Sequence, residues 1–347
     1  MHRNLLRIKA FHNWIYRDLR SSTCVNRYFK LLLVGIISAV GIYLAFRGDD
    51  FGELVIQIHQ VNYTGVFIAS LLLIISCIVR AYRWQVLMNP VEVIPLHPLF
   101  GATLVGYFGN GILAFRLGEL LRAYAVAKGR KITVMQAFGT VILERILDLV
   151  IVVFIFALTI PWFPFEDDYS RFGAFVFTGI TVFLIVLIFF TVHFNWLGKI
   201  EYMAIFNSHY GQKLFSAVNR IFEGLTIIKK TNHAGLIILS SLVLWGFYYC
   251  STMIVLDACG LSLGFVGTGI LLVLGSIVIG IPALPGSAGT YDAGIKYSLI
   301  MVFNIASDKA LTYAIVSHAI SYFPLVLVGA VYFMLGNVSL KEVKTIQ

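Results

Sequence analysis

The feature that most constrains this chain is a series of apolar runs of membrane-crossing length, separated by charged connectors. A helix needs about 20 mostly apolar residues to cross the hydrocarbon core of a bilayer, with a range of about 17–25. Such runs occupy Leu31–Phe46, Gly65–Val79, Ile132–Ile160, Phe172–Phe194, Ala234–Leu256 and Ala310–Leu335, and the first two extend by a few residues at each end. Two further apolar stretches are interrupted: His97–Ala127 by "GYFGNGILAFRLGELLRAY" and Phe265–Asn304 by "GIPALPGSAGTYDAG". Composition agrees. Of 347 residues, 59% are apolar and 12% charged, against about 45–50% and about 25% in a soluble domain. Such a chain cannot solvate an ordinary surface, which excludes a soluble enzyme, a disordered protein and a nucleic-acid binder of the usual kind. The excess of 26 Lys+Arg over 17 Asp+Glu is the signature of cationic cytoplasmic loops. Cys24, Cys77, Cys250 and Cys259 have neither CxxC nor metal-ligand spacing, and no disulfide framework is expected.

The distribution of Lys and Arg predicts the orientation. With the N-terminus in the cytoplasm, the inside receives the seven of Met1–Lys30, then Arg80 and Arg83, the 116–131 group, the 195–233 loop, and Lys341 and Lys344. The outside receives only Arg47, Arg171 and Lys309, among the acids Asp49, Asp50, Glu53, Glu166, Asp167 and Asp168, while Arg145 and Lys296 fall inside membrane stretches. This matches the positive-inside rule. It also makes each interrupted stretch return to the side it left, His97–Ala127 from the cytoplasm and Phe265–Asn304 from the opposite face. The expected fold is an all-α polytopic membrane protein with about six full spans plus two broken or re-entrant helical hairpins. Its order of span, span, hairpin, span occurs twice, an inverted-repeat architecture with both termini cytoplasmic. The halves cover about 31–160 and 172–335, within one integral membrane domain at 31–335. A basic cytoplasmic N-terminus (1–30) has Leu5, Ile8, Phe11, Ile15 and Leu19 at amphipathic spacing. A cytoplasmic loop (195–233) and tail (336–347) complete the organisation, and no cleavable signal peptide is evident.

Interrupted segments at matching positions in two halves point to a transport site, because non-helical backbone at membrane depth must be buried in protein or line a wet cavity. Both breaks carry charge. The first holds Arg116, Glu119 and Arg122, and the following span opens with "ERILD", where Glu144 and Asp148 share a helix face and Arg145 lies three residues from Asp148. The second holds Pro282, Pro285, Gly286, Gly289, Asp292 and Lys296. A charge at the bilayer centre costs about 2.5–3.5 kcal/mol on insertion scales, so these groups must pair or face water. They are expected to share one polar cavity.

"FGNGILAFRLGELLRAY", "ERILD" and "IPALPGSAGTYDAG" resemble the three signatures of the lysylphosphatidylglycerol synthase transmembrane-region family, also called flippase-like proteins, over about residues 30–335; "RAYRW" (Arg80–Trp84) fits the same pattern. The chain departs from the family in having no Pro at Ala114 or Phe115, and in reading Pro285-Gly286-Ser287 and Asp292 where a Pro-Gly-Gly run ending in Glu is usual. In larger members this region precedes a soluble aminoacyl-transfer domain and is credited with moving the lipid between leaflets. The resemblance implies a stand-alone translocator-like protein without the synthase.

Moving a lipid means desolvating its headgroup. Arg116, Arg122 and Arg145 suit a phosphodiester, since guanidinium grips phosphate in a fork. Glu119, Glu144, Asp148 and Asp292 would balance them or meet an amine. Gly286 and Gly289, beside Pro285, would allow close backbone approach, and the helix after Gly289 would aim its amides at an anion. The expected function is lipid translocation in the cell (inner or cytoplasmic) membrane. The partners expected are anionic or zwitterionic phospholipid or polyprenyl-linked lipid, with no nucleic acid, and a homo-oligomer is left open. No catalytic, metal or cofactor-binding residue is assigned, and no GxxxxGK[ST] loop supplies ATP. His318, beside Ser317 and Ser321, is either a hydrogen-bonded helix contact or a proton-linked group. The competing readings are an intramembrane lipid-modifying enzyme, using Glu144 or Asp148 as base, and a scaffold that recruits a soluble partner.

Overall fold

Side-chain caps set where several helices begin. Asp50 accepts from the Gly52 amide at 2.8 Å. Asn62 accepts from the Thr64 and Gly65 amides. Thr133 and Gln136 form a reciprocal capping box, and each such cap satisfies amides that a helix leaves orphaned. A computed structural model describes residues 24–113, 116–162, 231, 233–281 and 285–335 with isolated positions between 175 and 186, and side chains from 35 onward. Its helices are α1 (Cys24–Phe46), α2 (Phe51–Gln60), α3 (Tyr63–Met88), α4 (Leu96–Ile112), α5 (Gly118–Ala127), α6 (Val134–Thr159), α7 (Ala234–Ala258), α8 (Gly264–Gly280), α9 (Thr290–Phe303) and α10 (Ser307–Leu335). No strand occurs among the described residues. The amphipathic N-terminus through Arg20, span 172–194, most of the 195–233 loop, the tail and Pro282 lie outside the described residues.

α3, α7 and α10 are long and apolar enough to cross a membrane. α6 matches them in length but carries Glu144, Arg145 and Asp148. Large apolar side chains such as Phe67, Leu71, Phe154, Leu239, Met253 and Leu327 face outward, as a lipid-facing surface requires. The chain is an integral membrane protein.

Both interrupted stretches are helical hairpins: α4 packs on α5, and α8 on α9. The packing is reciprocal between halves. α3 lies against α7; α4 meets α10 while α8 meets α6; α5 meets α6 while α9 meets α10; α3 meets α4 while α7 meets α8. Glycine allows the closest approaches. A Cβ on Gly118 would fall 2.1 Å from the Gly106 carbonyl oxygen, and one on Gly329 would fall 2.2 Å from that of Leu104.

Two expectations change. Arg80 and Arg83 do not lie in a solvated segment after the second span: α3 runs on to Met88, and both side chains are buried within it. Carboxylates on another helix compensate part of their charge there. The stretch after Phe46 also contains α2, whose Leu54 is buried.

Candidate functional site

Arg80, Arg83 and Trp84 fall at i, i+3 and i+4 on α3, hence on one helix face. On α6, Glu144 and Asp148 present the facing carboxylates. Arg83 Nη2 donates to Asp148 Oδ1 at 2.8 Å and lies 3.5 Å from Glu144. Its Nη1 reaches Ser241 Oγ of α7 at 3.1 Å. Arg80 Nη2 donates to Tyr248 Oη at 2.8 Å and to Asp148 Oδ2 at 3.4 Å. From α5, Arg122 Nη1 lies 2.7 Å from Glu144 Oε2, and its guanidinium sits 3.8 Å over the Trp84 ring. Trp84 Nε1 in turn donates to Thr140 Oγ1 at 2.8 Å. One network thus ties α3, α5, α6 and α7 together.

The network is unbalanced. Arg80, Arg83, Arg122 and Arg145 face two carboxylates, Glu144 and Asp148. Arginine stays ionised in proteins, so positive charge is in surplus. Several guanidinium nitrogens, among them Nε and Nη1 of Arg80 and Nε and Nη2 of Arg122, are buried without a hydrogen-bond acceptor among the described residues. An unpaired buried donor is costly, and an anion seated beside these groups would relieve it.

Arg80, Arg122, Arg145 and Asp148 line a cavity of about 570 Å³, within the range of about 300–1,000 Å³ usual for ligand sites. Arg116 and Glu119 reach the same cavity, Gly286 and Ser287 wall it from the second hairpin, and His318 walls it from α10. The breaks touch, since α4 packs on the Pro285–Ser287 turn. Tyr322 of α10 bridges them: its hydroxyl donates to the Gly111 carbonyl at 3.1 Å, and its ring lies where a Cβ on Gly286 would be. Gly286, at φ 71°, occupies the left-handed region that glycine tolerates.

The expected site residues therefore divide. Arg116, Glu119, Arg122, Arg145, Asp148 and Gly286 reach the cavity, while Glu144 is fully buried behind it as the partner of Arg83 and Arg122. Pro285 opens the turn that positions Gly286. Gly289 and Asp292 act differently from expectation. Gly289 is a packing glycine against α1, where a Cβ would fall 2.6 Å from the Ser38 carbonyl oxygen. Its amide donates to Asp292 Oδ2 at 3.1 Å, so the start of α9 is occupied by the chain's own carboxylate. Asp292 Oδ1 faces His318 Nδ1 at 2.9 Å, and His318 Nε2 faces the Gly286 carbonyl at 2.8 Å. Lys296, buried on α9, pairs with Asp49 and donates to the Ala45 carbonyl at the end of α1 at 2.9 Å.

Arg80, Arg83 and Tyr248 were not among the expected site residues, and His318, expected to be either a helix contact or a proton-linked group, joins them at the cavity. The three-and-four spacing of Arg80, Arg83 and Trp84 was the available signal for the first two. No local pattern marks Tyr248, whose partner lies 168 residues away. Among the described residues, no group of three or more His, Cys, Asp or Glu side chains is arranged to hold a metal ion.

Residues 30–329 match the family described as the lysylphosphatidylglycerol synthase TM region. A UPF0104 membrane protein of Methanocaldococcus jannaschii is 26% identical over 233 residues, covering 65% of this chain and 93% of the relative. A UPF0104 membrane protein of Methanothermobacter thermautotrophicus is 22% identical over 316 residues, covering 86% of this chain and 92% of the relative. No solved structure matches significantly.

Proposed function

The chain belongs to the lysylphosphatidylglycerol synthase TM-region family, and from that premise we propose that it moves a lipid with an anionic headgroup between the leaflets of the cell membrane. The observation that carries the reading is the surplus of buried guanidinium groups, with unfilled donors, on a cavity walled by both interrupted hairpins. Acyl chains can remain in hydrocarbon during the movement, so the barrier is the dehydration of the headgroup. Arg80, Arg122 and Arg145 replace its water with fixed donors, and guanidinium suits phosphate because it offers paired, parallel N–H bonds. Glu144 and Asp148 hold those arginines in place at depth. Arg116 and Glu119, at the turn of the first hairpin, meet the headgroup on entry. The proposal assigns movement and no bond chemistry. In it the halves are inverted repeats, both termini are cytoplasmic, and the hairpins enter from opposite faces.

The test is leaflet exchange of headgroup-labelled phosphatidylglycerol in liposomes containing the purified protein. Exchange well above empty liposomes, with the lipid chemically unchanged, is the expected result. Arg145→Glu, checked for a folded, monodisperse product, is expected to lower the rate at least tenfold. Wild-type exchange no faster than in empty liposomes, or an undiminished rate in the Arg145→Glu protein, would refute the proposal. Conversion of the lipid to a new species would favour the enzyme reading instead.

A further inference from the structure

His318 of α10 packs against the second hairpin, where its neighbours constrain where its protons can lie. Both ring nitrogens of His318 face oxygens: Nδ1 meets the Asp292 carboxylate at 2.9 Å, and Nε2 meets the Gly286 carbonyl at 2.8 Å. A carbonyl oxygen only accepts, so a hydrogen bond at Nε2 needs a hydrogen there. A bond at Nδ1 needs a second one, on the ring or on the carboxyl group. A neutral ring beside a carboxylate would set two lone pairs against each other at one of these contacts, so the geometry as a whole suits a pair that binds one further proton.

Resting on the translocation reading, we propose that His318 and Asp292 form a proton-binding site, and that the proton loads and crosses together with the anionic headgroup, making the transport a proton–lipid symport. The two ligands share one cavity. His318 lines it from α10, opposite the cations: Arg80 from α3, Arg122 from α5, and Arg145, with Asp148, from α6. The other titratable groups around His318 are Tyr291 of α9, whose ring centroid lies at 5.0 Å, and Tyr322 of its own helix, at 6.1 Å. Glu119 of α5, Tyr107 of α4, Tyr248 of α7, Tyr313 of α10 and Arg116, just before α5, also line the cavity, while α2, the remaining helix packed on α10, sends it no side chain among the described residues.

The coupling follows from sign. The arginine surplus disfavours an added positive charge on the pair, and a headgroup anion in the cavity cancels that surplus. Anion and proton therefore favour each other's binding, and the favour is reciprocal. When the proton leaves, either the His318–Asp292 bond or the His318–Gly286 bond is lost. Where it is the second, the turn that touches α4 loses one of the ties that hold it to α10. A monoanionic headgroup and one proton cross as a neutral pair, which removes the membrane potential as a barrier. No ATP is needed.

The experiment uses liposomes holding the full chain and labelled phosphatidylglycerol, with the membrane potential clamped at zero and a preset pH difference. Symport predicts lipid accumulating in the leaflet facing the alkaline side, by about tenfold per pH unit at one proton per headgroup. Asp292→Asn is expected to abolish the bias. Wild-type exchange without bias would overturn the symport and leave translocation standing. Absence of exchange would remove both. A second measurement reads the site by itself: ¹⁵N-histidine spectra of the wild type near neutral pH, with the His318 signal assigned by its loss in His318→Gln. A shared proton on the pair is expected, and a neutral His318 beside an ionised Asp292 would overturn the proposal.

Discussion

The two hairpins have matching architecture and different chemistry. The first is built around permanent charge. Arg122 is clamped between Trp84 and Glu144, and every cation near it is a guanidinium. The second is built around groups that can change charge: His318 with Asp292, and Lys296 with Asp49. The arms close tightly in both. In the first hairpin a Cβ on Gly118 would fall 2.1 Å from the Gly106 carbonyl oxygen, and in the second a Cβ on Gly294 of α9 would fall 2.5 Å from the Val278 side chain of α8. In the proposed mechanism a fixed positive field on one wall acts together with an exchangeable proton on the other, and neither hairpin alone supplies both.

The largest way to break this comparison is Glu144→Ala. It strips the carboxylate shared by Arg83 and Arg122, and loss of one partner from a buried pair costs about 3–5 kcal/mol. We expect a severe loss of monodisperse protein after graded heating in detergent. Lys296→Met leaves Asp49 uncompensated at the end of α1, and a cost near 3 kcal/mol is expected. The double variant Asp49→Asn with Lys296→Met should recover most of it, because no ion is then stranded; the same heating series checks this. Gly118→Ala and Gly294→Ala each force the arms of a hairpin apart and should cost about 1–3 kcal/mol. A shift in melting midpoint at one position and none at the other would break the architectural match between the hairpins. The smallest effect belongs to Ser241→Ala, which removes one hydrogen bond from Arg83 and should lower stability by about 1.5 kcal/mol with the cavity intact.

Much of the fold was legible because hydropathy is a local property. The two breaks were visible as Gly- and Pro-rich interruptions, and the structure places helical hairpins at both. α2 was not legible, since ten residues with a half-apolar face resemble a loop. Arg80 and Arg83 were misplaced for a specific reason: counting Lys and Arg treats each as a marker of water, and these two meet Asp148, 68 and 65 residues further on. Asp292 was expected to meet a ligand, and instead it caps its own helix and holds His318.

The sequence by itself determined that the chain lives in a bilayer, where its helical wall is interrupted, and which charged residues lie near those interruptions. These follow from transfer energies and backbone geometry, which depend on neighbours along the chain. Only the tertiary structure decided which charge meets which, that Arg80 and Arg83 join the site, and that His318 spans from Asp292 to Gly286. Those outcomes depend on helices brought together from opposite halves of the chain, and at bilayer depth it is the partner across the packing that makes an ionised side chain tolerable.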